Sequence, residues 1–296
     1  MHILHHKIAS HSQLDLSAAD DLSLHVMEAS GRNLHVDVPS RWITLWLPLS
    51  GSAEMETAQS AWTLHRRSLL VWRDQALRAS GLRDCRLLGV GGAAAAWNPR
   101  LRIEEAGVRR DAGIFLQEEP CPRSLLRLLV RSVRMSRRSA TAANAEDSVA
   151  ALIAELVVHQ SGLHALLDRC SGRTRQRRQQ TLSRLLRVRH LIRTHENARL
   201  DLAQLAASAN YSPCHLIRSY REVFGETPSE HAIRLRSELA LKLVLETRMP
   251  VCEITEAVGF ESQSAFCRAF KSIYGMTTSE ARQRLNDDPG FASRAA

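Results

Sequence analysis

Paired cysteines, long apolar runs and metal-binding histidine pairs are missing from this 296-residue chain, and each absence excludes a class of protein. The six Cys stand singly, without a CxxC pair or a zinc-like spacing, so we expect reduced thiols rather than a disulfide framework. The longest weakly polar run, residues 87–97, is too short to span a bilayer. The first residues lack the basic start and apolar stretch of a signal peptide. We therefore expect a cytoplasmic protein that makes no membrane contact.

Catalytic signatures are also missing. No two His flank a single residue, so the HxH pair of metal-dependent cupin enzymes is absent, as are a glycine-rich phosphate loop and a nucleophile motif. His2, His5, His6 and His11 cluster near the start, and a mobile polar arm is the preferred interpretation over a metal site. We expect no catalytic residue, no metal and no cofactor.

What the chain has in excess is positive charge, placed unevenly. Its net charge is +9, and with 44% hydrophobic residues it is long enough for about two globular domains. Residues 173–296 hold 20 basic and 13 acidic side chains, whereas residues 1–172 hold 20 and 18. This favours an acidic partner for the C-terminal part, with nucleic acid first, although a solvated basic face would have the same composition.

The N-terminal part predicts strands followed by helices. Branched and aromatic segments broken by turn residues lie between Leu22 and Trp97 and suggest a small barrel or sandwich. All five Trp lie there, and they either line a ligand cavity or fill a core. Amphipathic helices follow at about 122–138 and 145–169, each packing against the sheet or against its own copy in a dimer. We expect a sensor and dimerisation domain at 1–170, a polar basic linker at 171–180 and a helical domain at 181–296.

The helical domain contains an internal repeat. Four positions recur 49 residues later: Leu202, Leu205, Ala206 and Tyr211 match Val251, Ile254, Thr255 and Phe260. Five recur 50 residues later: Leu216, Arg218, Tyr220, Gly225 and Thr227 match Phe266, Arg268, Phe270, Gly275 and Thr277. One residue has therefore been added to the second unit, between Phe260 and Phe266.

Each unit has the local signals of a helix-turn-helix. Ser212 and Pro213 predict the start of the second helix of the first unit, and Gly225 predicts its end in the left-handed conformation. Thr227 with Glu230 predicts a capping box on the next helix. A plain helical bundle with a polar surface is the alternative, which the duplication, the charge and an outward Arg shared by both units disfavour.

The outward face of each second helix supplies the candidate DNA-binding residues. Gln and Arg can read base edges, while Ser, Lys and a helix N-terminus suit phosphates. The candidates are Ser212, Cys214, His215, Ile217, Arg218 and Arg221 in the first unit, and Ser262, Gln263, Ser264, Cys267, Arg268 and Lys271 in the second.

Residues of about 180–285 resemble the C-terminal DNA-binding domain of AraC/XylS-type transcription regulators. The matching pattern is Ile254-x4-Gly259-Phe260-x2-Gln263-Ser264-x-Phe266-x-Arg268-x-Phe270-Lys271-x3-Gly275, with Arg236-x3-Ala240 and Ser212-Pro213-x2-Leu216-x-Arg218 upstream. The resemblance implies an α+β architecture: a strand-rich, cupin-like N-terminal sensor domain with flanking helices, then an all-α domain. In the all-α domain, seven helices include two helix-turn-helix units joined by a long helix at about 229–245.

This sequence departs from the family pattern at four positions. Thr255 stands where a small Ala is usual and Thr278 where Pro is usual, which affects local packing rather than the outward faces. Cys214 and Ile217 stand where polar or bulky groups are frequent. Base readout by the first unit is therefore expected to use apolar contact with thymine methyl groups.

The resemblance implies a sequence-specific transcription regulator that binds double-stranded promoter DNA, as an activator that recruits RNA polymerase. It also implies a homodimer and a small-molecule effector, for which no local motif names an identity or a site. Two alternatives stay open: a cupin-like metal-dependent enzyme with an accessory basic domain, and an effector-independent regulator controlled by a protein partner.

Overall fold

Strands dominate the first half of the chain and helices the second. The structure is a computed structural model that describes residues 2–105, 108–111, 113–137, 142–194 and 201–287. The strands are β1 (Ile3–Ile8), β2 (Gln13–Asp15), β3 (Leu24–Gly31), β4 (Leu34–Val38), β5 (Trp42–Ser50), β6 (Ala53–Glu56), β7 (Ala61–Leu64), β8 (Ser68–Arg73), β9 (Leu77–Gly81), β10 (Cys85–Ala93), β11 (Arg102–Glu105), β12 (Val108–Asp111) and β13 (Gln117–Pro120). The helices are α1 (Ala94–Leu101), α2 (Arg123–Arg137), α3 (Ala142–His159), α4 (Ser161–Ala165), α5 (Arg175–Thr194), α6 (Leu202–Ser208), α7 (Pro213–Phe224), α8 (Pro228–Glu246), α9 (Val251–Ala257), α10 (Gln263–Tyr274) and α11 (Thr278–Asp287).

By residue contacts the chain divides into two units, Met1–Leu186 and Arg187–Ala296. The first unit is a sandwich of two main sheets. One sheet has six strands in the order β1-β3-β10-β5-β8-β13, and the other has five in the order β2-β4-β9-β6-β7. Most neighbouring strands are antiparallel, but β1 runs parallel to β3, and β2 runs parallel to β4. The expected strand-rich domain is confirmed, and with the helical second unit it makes the chain α+β.

Strand β5 shows why the six-stranded sheet is buried on both faces. Trp42 and Trp46 lie in a core shared by the two sheets, while Ile43, Leu45 and Leu47 lie in a second core beneath α1, α2 and α3. Successive side chains of a strand point to opposite faces, so a strand covered on both sides has a continuous apolar sequence. This explains the unbroken run of branched and aromatic residues in β5.

The tryptophans fill cores. Trp42, Trp46 and Trp72 are fully buried between the sheets, and Trp97 is fully buried in the second core. The fit is close at Gly89, where an added Cβ would lie 2.8 Å from the Trp46 ring. Of the two interpretations of the tryptophans, core packing therefore holds at Trp46, Trp72 and Trp97, whose indole N–H groups are bonded within the protein. Trp42 is buried as well, but its indole N–H has no hydrogen-bond partner among the described residues.

The predicted N-terminal arm is wrong, because residues 3–8 form β1. They pair in register with residues 24–29 of β3, and His6 Nε2 lies 2.9 Å from His25 Nδ1. Burial along β1 does not alternate strictly, since His5 and His6 are both half-buried, and the segment therefore lacks the period-two signal of a strand. Three further strands, β11 to β13, lie between α1 and the first predicted amphipathic helix, outside the segment in which the sequence predicts strands.

Helices α2 and α3 pack against the first unit's own sheet. Leu152, Ile153 and Leu156 of α3 are buried in the second core with Leu125 and Leu129 of α2. The apolar stripe predicted at 145–169 is thus core over α3, which leaves no room there for a second copy of the chain. Among the described residues no single helix is long and apolar enough to cross a membrane, and one bent pair, Asn144–His159 with Ser161–Arg169, meets the length and composition test only when taken together.

The predicted linker at 171–180 is only partly irregular. Helix α5 begins at Arg175, so the second half of that segment is helical. Arg and Gln are good helix formers, and a polar run of them suits an exposed helix as well as a linker. The domain boundaries at 170 and 181 stay a prediction.

Candidate nucleic-acid interface

The first helix-turn-helix unit consists of α6, a turn and α7, and its caps are those the sequence predicts. The Ser212 side chain accepts a hydrogen bond from the His215 backbone N–H at 3.4 Å, and Pro213 is the first residue of α7. Gly225 ends the helix at a φ of 82°, and its N–H donates to the Arg221 carbonyl at 2.8 Å. Asp201 also caps α6, by accepting from the Ala203 N–H. These local bonds fix both ends of the outward helix α7.

The second unit, α9 to α10, reproduces this geometry. Ser262 accepts from the Ala265 N–H at 3.2 Å, and Gly275 ends α10 at a φ of 66° with its N–H bonded to the Lys271 carbonyl. Thr255, which stands where the family pattern usually has Ala, is buried, and its hydroxyl donates to the Val251 carbonyl at 2.7 Å. The hydroxyl therefore finds a partner within its own helix and does not disturb the packing.

The turns locate the added residue. The Tyr211 N–H donates to the Ala206 carbonyl at 2.9 Å, and the Phe260 N–H donates to the Thr255 carbonyl at 3.0 Å. The residues before them, Asn210 and Gly259, both have positive φ, at 54° and 69°. Since the two units match up to this point and match again from the capping serines, the added residue is Glu261.

Capping boxes follow both outward helices. Thr227 and Glu230 bond reciprocally at the start of α8, as do Thr277 and Glu280 at the start of α11. Helix α8 has 19 residues and is about 28 Å long at 1.5 Å per residue. It agrees with the predicted long helix at 229–245 within one residue at each end.

Helix α7 presents most of its candidate residues to solvent. Cys214, His215, Arg218 and Arg221 are exposed, and Ile217 is half-buried. Cys214, Ile217 and Arg218 line an open concavity of about 450 Å³ together with Arg221 and Glu222. The concavity therefore combines an apolar floor with guanidinium groups, a composition that suits a base edge carrying a methyl group.

Arg221 has a second role that the sequence did not predict. Its guanidinium donates to both carboxylate oxygens of Glu230, at 2.9 and 3.2 Å. Glu230 also accepts from the backbone and hydroxyl of Thr227, and these bonds with the Arg221 charge hold the pKa of Glu230 below its usual value. Arg221 is thus tied to the N-terminus of α8, whereas no described acidic side chain pairs with Arg218.

Helix α10 also presents its candidates outward, with one exception. Ser262, Gln263, Ser264, Arg268 and Lys271 are exposed. Cys267 is instead half-buried and packs against the core of the second unit. Cys267 is the repeat equivalent of Ile217, so this half-buried position is common to both helices and was wrongly predicted to be fully outward.

A buried hydrogen bond near the interface was missed from the sequence, which predicts that Tyr220 faces inward but not that it has a polar partner. Tyr220 of α7 and His231 of α8 are nearly inaccessible, and the Tyr220 hydroxyl is hydrogen-bonded to His231 Nδ1. Burial lowers the pKa of His231 to about 4, so the imidazole is neutral at pH 7. Their repeat equivalents are Phe270 and Ala281, and this break in the repeat was the signal that could have revealed the pair.

Metal ligation finds no support in the described part of the chain, where no three His, Cys, Asp or Glu side chains come together. The histidines of β1 contact protein groups instead: His6 bonds to His25, and His5 Nε2 lies 3.9 Å from the Glu28 carboxylate.

Comparison with known proteins places the interface in a family. A helix-turn-helix domain model matches residues 205–284. The MmsAB operon regulatory protein of Pseudomonas aeruginosa is 35% identical over 101 residues, which are 34% of this chain and 33% of that protein. A putative AraC-like transcription regulator of Streptomyces antibioticus is 33% identical over 82 residues, which are 28% of this chain and 27% of that protein.

Among solved structures, the C-terminal domain of AraT, a response regulator from Geobacillus stearothermophilus, is 31% identical, with a TM-score of 0.33. The match covers 34% of this chain and 84% of the AraT domain, and a TM-score of this size supports no argument by itself. The aligned stretch spans about a third of the length of the curated relatives. The C-terminal part of the chain, with its two helix-turn-helix units, is an AraC-type DNA-binding domain, and these relatives are regulators rather than enzymes.

Proposed function

We propose that the chain is a sequence-specific transcription regulator that binds double-stranded promoter DNA through α7 and α10. The observation that carries the proposal is the equivalent placement of Arg218 and Arg268, exposed on two helices that have the same caps. Because no described acidic group neutralises either guanidinium, both are free to bind guanine O6 and N7. The positive charge of residues 173–296 would supply the phosphate contacts.

The test is DNA selection followed by a comparison of variants. Random double-stranded DNA is selected on the full chain, and affinity for the recovered sequence is measured for wild type and for Arg218→Ala/Arg268→Ala. We expect the double variant to lose specific binding and to keep weak, salt-dependent binding to random DNA. Arg284→Ala, an exposed Arg on α11, is the matched control. Recovery of no common sequence, or equal losses in the variant and the control, would contradict the proposal.

The finer assignments are a cytoplasmic activator that recruits RNA polymerase as a homodimer. Their support is the resemblance to AraC-type regulators. Transcription in vitro with purified RNA polymerase separates activation from repression, and sedimentation of the full chain gives the oligomeric state. A dimer would have to use a surface other than the buried stripe of α3.

We also propose that a small polar effector binds between the sheets, beside His25 and Trp42. The two rings lie 4.7 Å apart between centroids, and both residues are almost inaccessible. Among the described residues, His25 Nε2 and Trp42 Nε1 have no hydrogen-bond partner. Since a buried polar atom without a partner is costly, a ligand that bonds to both would stabilise the site. Thermal shifts with a panel of small carboxylates and sugars test it, and Trp42→Phe should abolish any shift.

A further inference from the structure

Helix α2 carries a row of arginines on its outer face. Its sequence has no Asp or Glu, and Arg123, Arg127, Arg131 and Arg134 are all exposed. Among the described residues none of these four guanidinium groups has an acidic partner. The row lies in the first unit and plays no part in the proposed DNA contacts.

The spacing of these arginines works against the helix. Arg123, Arg127 and Arg131 follow one another at intervals of four, and like charges at that spacing destabilise a helix. Arg123 also lies in the first turn, where the helix dipole disfavours a cation. No acidic side chain of α2 offsets the repulsion between these arginines, so an acidic group from another molecule would meet an unneutralised surface.

Apolar side chains lie beside the row. Leu126 and Val130 are half-buried on one side and Met135 on the other, and with Arg127, Arg131 and Arg134 they line an open concavity of about 500 Å³. The surface of α2 therefore combines a row of arginines with apolar side chains that flank the row on the same helix.

The surface is also preformed. Leu125, Leu129 and Val133 anchor the inner face of α2 in the second core. At the C-terminal end, Arg137 pairs with Glu28, a buried carboxylate of β3 that Arg86 also contacts at 3.2 Å. A partner would thus bind a helix that is already fixed, without the entropy cost of ordering it.

We propose that this face of α2, Leu126 and Val130 with Arg127, Arg131 and Arg134, docks an acidic amphipathic helix of a protein partner. The partner helix would place its carboxylates against the arginines and its leucine-like side chains against Leu126 and Val130, as in other helix-in-groove complexes. A second copy of the chain is disfavoured because the same face would bring arginines against arginines. Duplex DNA would neutralise the arginines but would leave Leu126 and Val130 against a charged backbone.

The experiment selects the partner's chemistry without assuming its sequence. A displayed library of single helices is selected on the full chain and counter-selected on Arg127→Glu/Arg131→Glu. We expect the surviving helices to carry Asp or Glu three or four residues apart, beside an apolar stripe. Survivors without net negative charge, or helices that bind the variant equally, would overturn the proposal.

A synthetic peptide of the most frequent survivor then gives affinities by fluorescence anisotropy. Arg127→Glu/Arg131→Glu should weaken binding by about tenfold or more, and a peptide with Lys in place of its acids should bind that variant better than wild type. Leu126→Gln, which leaves all four arginines in place, should also weaken binding. Arg32→Glu/Arg83→Glu makes the same charge change at exposed arginines of the sandwich loops and should leave affinity unchanged.

Two further measurements separate the other occupants. If Arg127→Glu/Arg131→Glu converts a dimer into a monomer in sedimentation, the face binds a second copy and the proposal fails. If the same variant lowers the affinity of the full chain for its selected DNA, the face contacts DNA and the proposal fails. Circular dichroism of the variant, whose changed side chains are exposed, checks that the first unit remains folded.

Discussion

The outward helices of the two helix-turn-helix units, α7 and α10, have the same caps but are held in different ways. In the first unit, polar contacts connect α7 to α8: Tyr220 bonds to His231, and Arg221 pairs with Glu230 at 2.9 Å. In the second unit, Phe266 and Phe270 of α10 are buried in an apolar core with residues of α8, α9 and α11, and the Phe260 ring of the turn lies 5.5 Å from the Phe266 ring between centroids. A hydrogen bond is directional and ring packing is less so. We expect α7 to be fixed in orientation and α10 to tolerate adjustment on its DNA site.

Breaking the buried bond should have the largest effect. His231→Ala leaves a cavity and a buried Tyr220 hydroxyl without its partner. This change should lower the free energy of unfolding of the helical C-terminal unit, Arg187–Ala296, by about 2–4 kcal/mol. Unfolding of the full chain in urea can be followed by far-UV circular dichroism. Trp fluorescence would report the strand-rich N-terminal unit instead, because all five Trp lie there.

The control variant gives the first helix-turn-helix unit the residues that stand at the equivalent positions of the second. Tyr220→Phe/His231→Ala copies Phe270 and Ala281 and removes both polar groups, so it should cost less than the sum of the two single changes. A double variant whose loss equals that sum would show that the bond does not couple the two residues.

Next in size are the two equivalent arginines. Arg218→Ala and Arg268→Ala should each cost about 1–3 kcal/mol of specific binding if the guanidinium groups read guanine. Each change should relax base preference in only one of two clusters about one helical turn apart, because each helix enters its own stretch of groove. Affinities for single-base variants of the selected site provide the measurement. An Arg268→Ala protein that loses equally on specific and random DNA would instead place that Arg on a phosphate.

Acid should also distinguish the wild type from the variant that carries the residues of the second helix-turn-helix unit. Burial lowers the pKa of His231 to about 4, from an ordinary value near 6.5. The unfolded chain therefore binds the proton more readily than the folded chain. The free energy of unfolding is thus highest above pH 6.5 and decreases as the pH falls from 6.5 toward 4. Tyr220→Phe/His231→Ala lacks the imidazole, and its free energy of unfolding should vary less with pH over that window.

The capping glutamates titrate in a lower window and serve as the control. Bonds from the Thr227 and Thr277 backbones lower the pKa values of Glu230 and Glu280. Their contribution is complete above pH 4.5 and is lost as the pH falls through the lowered pKa values, in wild type and variant alike. Identical pH dependence of the two proteins above pH 4.5 would show that His231 is already accessible to protons.

Local signals made the C-terminal helices predictable, and nonlocal ones limited the rest. Ser212, Gly225 and Gly275 act within a few residues of themselves, so their caps could be assigned from sequence and are confirmed. The bond between Tyr220 and His231 joins two helices, and the backbone of β1 pairs with that of β3, about 20 residues away. No periodicity reports such contacts. Helix α3 shows a third limit, since an apolar stripe is the same whether it meets a sheet or a second copy.

The smallest expected effect concerns Ile217 and its repeat equivalent, Cys267. Both are half-buried, but Ile217 lines the concavity with Cys214, whereas Cys267 packs against the core of its unit. Ile217→Ala should lower the preference for thymine at one position by about 1 kcal/mol or less, because only apolar contact with the methyl group is lost. The dependence of affinity on salt should not change, since the number of phosphate contacts is the same. Cys267→Ala should leave base preference unaltered. If Ile217→Ala weakens all four bases equally, the side chain orients α7 rather than reading DNA, and the apolar readout assigned to the first unit is wrong.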